Sequence, residues 1–195
     1  MADALIVVDV QNDFCPGGAL PVPEGDRVVP VLNAYLALAE RVPIPIYASR
    51  DWHPAHTTHF AQFGGLWPEH CVQGTPGAAF HRDLKLPPST RVVTKGTSAN
   101  DEGYSAFEGT LESGRSLVED LRAAGVSTVF VGGLATDYCV LQTVLSARRE
   151  GFETIWLRDA SLPVEVRPGD GARAEEQMLL AGAREATVAD FHPTR

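Results

Sequence analysis

Four of the chain's six histidines lie between positions 53 and 70, in the stretch DWHPAHTTHF…WPEHC. Asp51 and His53 are two residues apart, so in an extended segment both project to the same side. His59 and His70 could close on them from the loop that follows. Imidazole and carboxylate together suit zinc, and also iron or manganese, so the natural reading is one divalent ion per chain. The spacing is irregular and matches no compact zinc signature. A long loop packed by Trp52, Trp67 and its prolines would also collect histidines, and the pattern alone leaves both readings open.

A second set of residues combines a thiol, a carboxylate and an amine. Cys139 is expected in the first turn of a helix that begins at Thr136 or Asp137, after Gly132-Gly133. Free N–H groups and the helix dipole there lower a thiol's pKa, favour thiolate and can face a developing oxyanion. The alternative is a small buried hydrophobe. Asp9 ends the apolar run ALIVVD, where desolvation would raise its pKa and make it a usable acceptor for a thiol proton. It could instead cap the QNDF segment, a duty that Asp13 fits better. Lys95 closes the β-branched run RVVTK; if buried it needs an anion, and Asp9 is a candidate, whereas an exposed strand-end lysine is the ordinary case. Cys15 and Cys71 have no evident helix N-terminus and read as structural.

The elements that must position these residues alternate between strand and helix. Strands are expected at 4–9, 44–49, 91–95, 127–133 and 152–159, with a short one near 185–188. Helices are expected at about 26–40, from Ser113 or Ser116 to Gly125, at 137–150 and at 170–182. Pro45 suits an edge strand or a strand's first residues. The connection of about forty residues after the second strand is long enough to be functional. This order predicts a three-layer α/β/α fold with a mostly parallel sheet of about six strands. In such sheets the site gathers at the carboxyl ends of the strands, which is where Asp9, Asp51, Lys95 and Cys139 fall.

The 195 residues form one expected domain, 1–195, with no repeat, no low-complexity tract and no internal boundary. A net charge of −9, without a basic cluster longer than Arg148-Arg149, argues against nucleic acid and anionic membranes as partners. The N-terminus reads as a strand with no signal peptide, no apolar run is long enough to span a membrane, and three widely spaced cysteines fit a reducing compartment. Cytoplasmic localisation is the expectation. Monomer and homo-oligomer remain equally open.

The phrases IVVDVQNDFCPGGAL, SRDWHPAHTTHF, WPEHCVQGTPGAAFH, TKGT, YSAFEGT and GLATDYCVLQT occur in the order found in the nicotinamidase/pyrazinamidase family of the isochorismatase-like hydrolases, which the chain resembles over nearly its whole length. The resemblance implies a Rossmann-like isochorismatase-type fold, with Asp9, Lys95 and Cys139 as catalytic triad and Asp51, His53 and His70 as metal ligands. His59 falls on a ligand position that only some members fill, and His56 competes with it. Leu134-Ala135 falls on a non-proline cis peptide that directs the Ala135 N–H, with that of Cys139, into an oxyanion hole. Phe14 and Trp67 fall on walls for a pyridine ring, with Leu134 and Tyr104 beside the pocket; the loop GTSANDEG matches less well.

The implied activity is hydrolysis of nicotinamide, and of pyrazinamide, to the acid and ammonia through a thioester. The small-molecule substrate is then the principal partner, and zinc the first candidate metal, ahead of iron or manganese. A rival keeps the fold but makes metal-bound hydroxide the nucleophile and Cys139 a bystander. Other amidases of the superfamily, and a ligand-binding protein without catalysis, are further alternatives. A dinucleotide-binding domain is disfavoured, because the turn after the first strand has no G-x-G-x-x-G.

Overall fold

A computed structural model describes residues 2–195. Strand β1 (Ala2–Val8) is buried from Asp3 onward. Leu5 and Val7 pack on one face of the sheet with Val29, Leu32 and Leu36 of helix α1 (Val28–Arg41). Ala4, Ile6 and Val8 pack on the other, with Leu117 of α2 (Leu117–Ala123), Val144 of α3 (Leu141–Arg149) and Met178 of α4 (Asp170–Leu180). A strand covered on both faces shows no polar alternation, hence the continuous apolar run.

Strands β2 (Ile46–Asp51), β3 (Arg91–Lys95), β4 (Thr110–Leu111), β5 (Val126–Leu134), β6 (Glu153–Leu162) and β7 (Arg184–Ala186) complete one seven-stranded sheet of order β4-β3-β2-β1-β5-β6-β7. Every pairing is parallel except that of β3 with β4. The strand beyond the expected six is β4, whose two residues are too few to display a period. β2 starts after Pro45, whose carbonyl accepts the Leu5 N–H at 3.0 Å, so the missing proline N–H removes no ladder bond. Of the two candidate caps for α2, Ser116 holds the position: its hydroxyl accepts from the Glu119 N–H at 3.3 Å, and the Glu119 carboxylate accepts from the Ser116 N–H at 2.9 Å.

Strand order reverses between β1 and β5, the switch point of the sheet. Asp9 directly follows β1, Asp51 ends β2, Lys95 ends β3, and Leu134 ends β5 just before the turn carrying Cys139. One crevice at the carboxyl edge therefore collects all four segments. Among the described residues no helix is long and apolar enough to cross a membrane.

Candidate active site

Lys95 occupies the centre of this crevice. Its Nζ lies 2.7 Å from Asp9 Oδ2, donates to Asp51 Oδ1 and to the Gly103 carbonyl, and stands 3.7 Å from Cys139 Sγ. Asp9, Asp51 and Lys95 are all buried. Burial alone would neutralise the amine, but Asp51 and Asp9 outweigh it and hold Lys95 charged, its pKa above the ordinary lysine value. The two carboxylates fare differently. Burial pushes Asp51 up, yet Lys95 and His53 overcome that and keep it well below the usual carboxylate range. For Asp9 burial wins, aided by the negative charge of Asp51, and its pKa rises to about 6 despite Lys95. One cation between two acids leaves Asp51 ionised and Asp9 able to gain and lose a proton near neutrality.

Asp9 has φ +48, a left-handed conformation uncommon outside glycine. Its Oδ1 accepts from the Ser49 hydroxyl at 2.7 Å, whereas Oδ2, though close to Lys95, has no well-directed hydrogen bond. Asp9, Asp51 and Cys139 present donor atoms within 4.8 Å of one another. The Asp9 carboxylate is thus available to the thiol. Asp13 does not cap the QNDF turn; its carboxylate accepts the N–H groups of Ala19 (3.1 Å) and Cys71 (2.7 Å), tying the first loop to the histidine loop.

Cys139 sits in a π-helical turn, Thr136–Val140, that leads into α3. The Leu134–Ala135 peptide is cis. The Ala135 carbonyl accepts from the N–H groups of Tyr138 and Val140, both at 3.1 Å, and passes over that of Cys139. The expected thiolate-favouring shift is not what the structure gives. Burial pushes the Cys139 thiol well above its ordinary value, Asp9 and Asp51 add to this, and Lys95 opposes it without reversing it. At rest the sulfur carries its proton, and a base must remove it. The thiols of Cys15 and Cys71 are also raised, chiefly by burial.

Beyond Asp51 the histidines converge. His53, His59 and His70 are buried, with ring nitrogens within 4.8 Å of one another. His53 Nε2 faces Asp51 Oδ2 at 3.6 Å and His70 Nε2 faces it at 4.0 Å. The His70 Nδ1 lies 2.7 Å from the Pro68 carbonyl, which places the proton on Nδ1 and turns the Nε2 lone pair inward. Neither nitrogen of His53 has a hydrogen-bond partner. Such orphaned buried groups cost about 1–3 kcal/mol each unless something satisfies them. Burial and the neighbouring His53 and His70 lower the His59 pKa to about 4, so its ring is neutral. Three imidazoles and a carboxylate fit a divalent cation. His56 is exposed and packs on Phe63 at 5.1 Å, outside this group.

Several supporting residues escaped the sequence reading. Gln11 brackets the Asp51 backbone, donating from Nε2 to its carbonyl and accepting its N–H, both at 2.8 Å. Gly96 has φ +66, and a Cβ there would sit 2.6 Å from His53 Cε1. The GTSANDEG loop supplies the Gly103 carbonyl to Lys95. A xDxQ spacing after an apolar strand was the only advance signal for Gln11, and nothing marked Ser49 or Gly96.

A narrow cavity is lined by Phe14, Trp67, Tyr104, Leu134 and Tyr138 together with Ala135, Cys139, His59 and His70. Trp67 Nε1 donates to the Tyr104 hydroxyl at 2.9 Å, which fixes two of the walls. An apolar slot that also presents a thiol and imidazoles suits a flat ring bearing a polar substituent. Fold and site together define a crevice that brings a thiol, a carboxylate and a lysine beside a histidine cluster able to hold a metal ion.

The Isochorismatase domain family matches residues 3–190, and the chain belongs to this family. The nicotinamidase of Escherichia coli (strain K12) is 40% identical over 211 aligned positions, covering 98% of both chains. A pyrazinamidase of Pyrococcus horikoshii, solved in complex with zinc, superposes with a TM-score of 0.88 at 44% identity, covering 96% of this chain and 99% of that one. PnC1 from L. infantum, solved in complex with nicotinate, superposes with a TM-score of 0.84 at 33% identity, covering 96% and 93% respectively.

Proposed function

We propose that this chain is an amidohydrolase that converts nicotinamide to nicotinate and ammonia through a thioester on Cys139. The observation that carries the reading is the placement of Cys139 Sγ 3.7 Å from a buried lysine paired with Asp9, in an aromatic-walled slot that His59 and His70 also line. The similarity to nicotinamidases and to a pyrazinamidase supports it.

Asp9 takes the Cys139 proton on Oδ2, while Lys95 holds the carboxylate and offsets the charge that develops on sulfur. The thiolate attacks the carboxamide carbon. The N–H groups of Ala135 and Cys139 receive the oxyanion, and Asp9 returns the proton to the departing ammonia. Water then cleaves the thioester, with Asp9 again as base. Phe14, Trp67, Leu134 and Tyr104 hold the ring so that the carboxamide meets the sulfur, an orientation that can contribute several kcal/mol, up to about 7–11, to lowering the barrier. Asp51, His53, His59 and His70 would hold one divalent ion, which supplies a Lewis-acid partner for the ring nitrogen. We assign zinc first, with iron or manganese as alternatives. The histidine-carboxylate set accommodates all three, and the P. horikoshii relative was solved with zinc. Pyrazinamide keeps both the carboxamide and that ring nitrogen, so it is a second substrate. The whole chain acts as one catalytic unit, working in the cytoplasm and returning nicotinate to NAD salvage. Its three free cysteines suit a reducing compartment.

Ammonia release from nicotinamide tests this, measured on metal-replete protein, after chelation, and after zinc is restored. Release that is lost on chelation and recovered with zinc is expected. No release from the metal-replete protein overturns the reading.

A further inference from the structure

The slot has a larger neighbour. An open vestibule of about 410 Å³ lies against it, lined by Leu66, Val166, Arg167, Ala174 and Gln177, while the slot itself encloses only about 30 Å³. Trp67 and Tyr138 line both spaces and so form the wall between them. Their rings meet edge to face, with centroids 4.8 Å apart. The two halves of this wall are held differently. Trp67 is tied by its hydrogen bond to Tyr104, whereas Tyr138, half-buried, has no side-chain hydrogen bond among the described residues and is held by packing on Trp67, on Tyr104 at 6.0 Å and on the adjoining core.

We propose that Tyr138 is the specificity-determining residue that limits the ring edge opposite the carboxamide, and that the vestibule behind it is an unused subsite for larger pyridine-3-carboxamides. The inference rests on the nicotinamidase reading. A pyridine-3-carboxamide is anchored at two positions, its carboxamide at Cys139 and its ring nitrogen toward His59 and His70. In the proposed pose the atom between these anchors, C2, points toward Asp51, which lies near both the thiol and the histidines, and the opposite atom, C5, points away from it. We place a bulky C5 substituent against the Trp67–Tyr138 wall. Removing the more weakly held half would join the slot to a space lined both by apolar side chains, Leu66 and Val166 among them, and by the charged Asp137, Arg167, Asp170 and Arg173. An aryl group at C5 suits this mixed lining, since it can pack on Leu66 and Val166 and stack with an arginine guanidinium.

The test compares kcat/KM for 5-phenylnicotinamide and for nicotinamide in the wild type, Tyr138→Ala and Tyr138→Phe. Calorimetric binding of 5-phenylnicotinate provides a readout independent of turnover. The ratio of the two kcat/KM values should rise about ten-fold or more in Tyr138→Ala and stay unchanged in Tyr138→Phe, which keeps the ring. 5-Phenylnicotinate should bind more tightly to Tyr138→Ala than to wild type. Adding Val166→Trp to Tyr138→Ala, to fill the vestibule from outside, should reverse both gains. An unchanged ratio in a Tyr138→Ala protein that still hydrolyses nicotinamide overturns the inference and leaves the nicotinamidase reading intact. A gain that survives Val166→Trp also overturns it, since general loosening would then be the cause. If Tyr138→Ala does not fold, Tyr138→Leu replaces it with the same expectations. Absence of nicotinamide turnover in the wild type removes the underlying reading and this inference with it.

Discussion

The ammonium of Lys95 pairs with the same Asp51 carboxylate whose other oxygen faces His53 Nε2 at 3.6 Å. Because that ammonium also pairs with Asp9 at 2.7 Å, it joins the histidine cluster to the thiol in one buried network. Lys95→Met, which keeps the volume and deletes the charge, leaves two carboxylates facing each other without a cation. We expect unfolding free energy to fall by about 3–5 kcal/mol and ammonia release to be lost. Denaturant titration beside the activity assay checks this; a fully stable variant would contradict the account of the network.

Asp9 must be ionised to accept the Cys139 proton. Burial, supported by Asp51, raises its pKa from the ordinary carboxylate value to about 6, so the proton-accepting form is lost as pH falls through that value. The pH profile of kcat/KM should show an acid limb with an apparent pKa near 6. The Ser49 hydroxyl, donating at 2.7 Å, favours the ionised form and so opposes the rise. Ser49→Ala should therefore move the acid limb to higher pH, while activity at the plateau changes less. A limb that stays in place in Ser49→Ala would show that another group sets it.

Gly96 is a lever on the histidine cluster that leaves every ligand in the sequence. Alanine there would hold φ +66 and put its Cβ 2.6 Å from His53 Cε1. The left-handed backbone alone costs about 1–2 kcal/mol, and His53 must also move. Gly96→Ala should lower both Tm and bound zinc per chain, whereas His56→Ala, at the exposed histidine, should change neither. Elemental analysis of the purified variants decides the matter.

The alternating order of strands and helices, and the gathering of Asp9, Asp51, Lys95 and Cys139 at one edge, were legible because buried parallel strands write themselves as apolar runs ending in polar residues. β4 was not legible, since two residues carry no period. The competition between His56 and His59 was likewise beyond the sequence: both lie in one loop, and only the chain's path buries one and exposes the other. Asp51 as the second partner of Lys95 depends on strand register, which pairs residue 51 with residue 95 across β2 and β3. The state of Cys139 departs from the helix-start expectation for a physical reason. A helix start favours thiolate, but full burial beside two carboxylates outweighs it. The sequence displays the first influence and hides the second.

Acylation of Cys139 is the step on which the proposed mechanism turns. The most direct measurement is to mix metal-replete protein with excess nicotinamide, quench in acid within the first turnovers, and map the intact protein and its peptides by mass spectrometry. We predict one nicotinoyl group on the peptide carrying Cys139, and neither adduct nor ammonia release in Cys139→Ala. Undiminished ammonia release from Cys139→Ala would contradict the claim and transfer the nucleophile's role to the metal site.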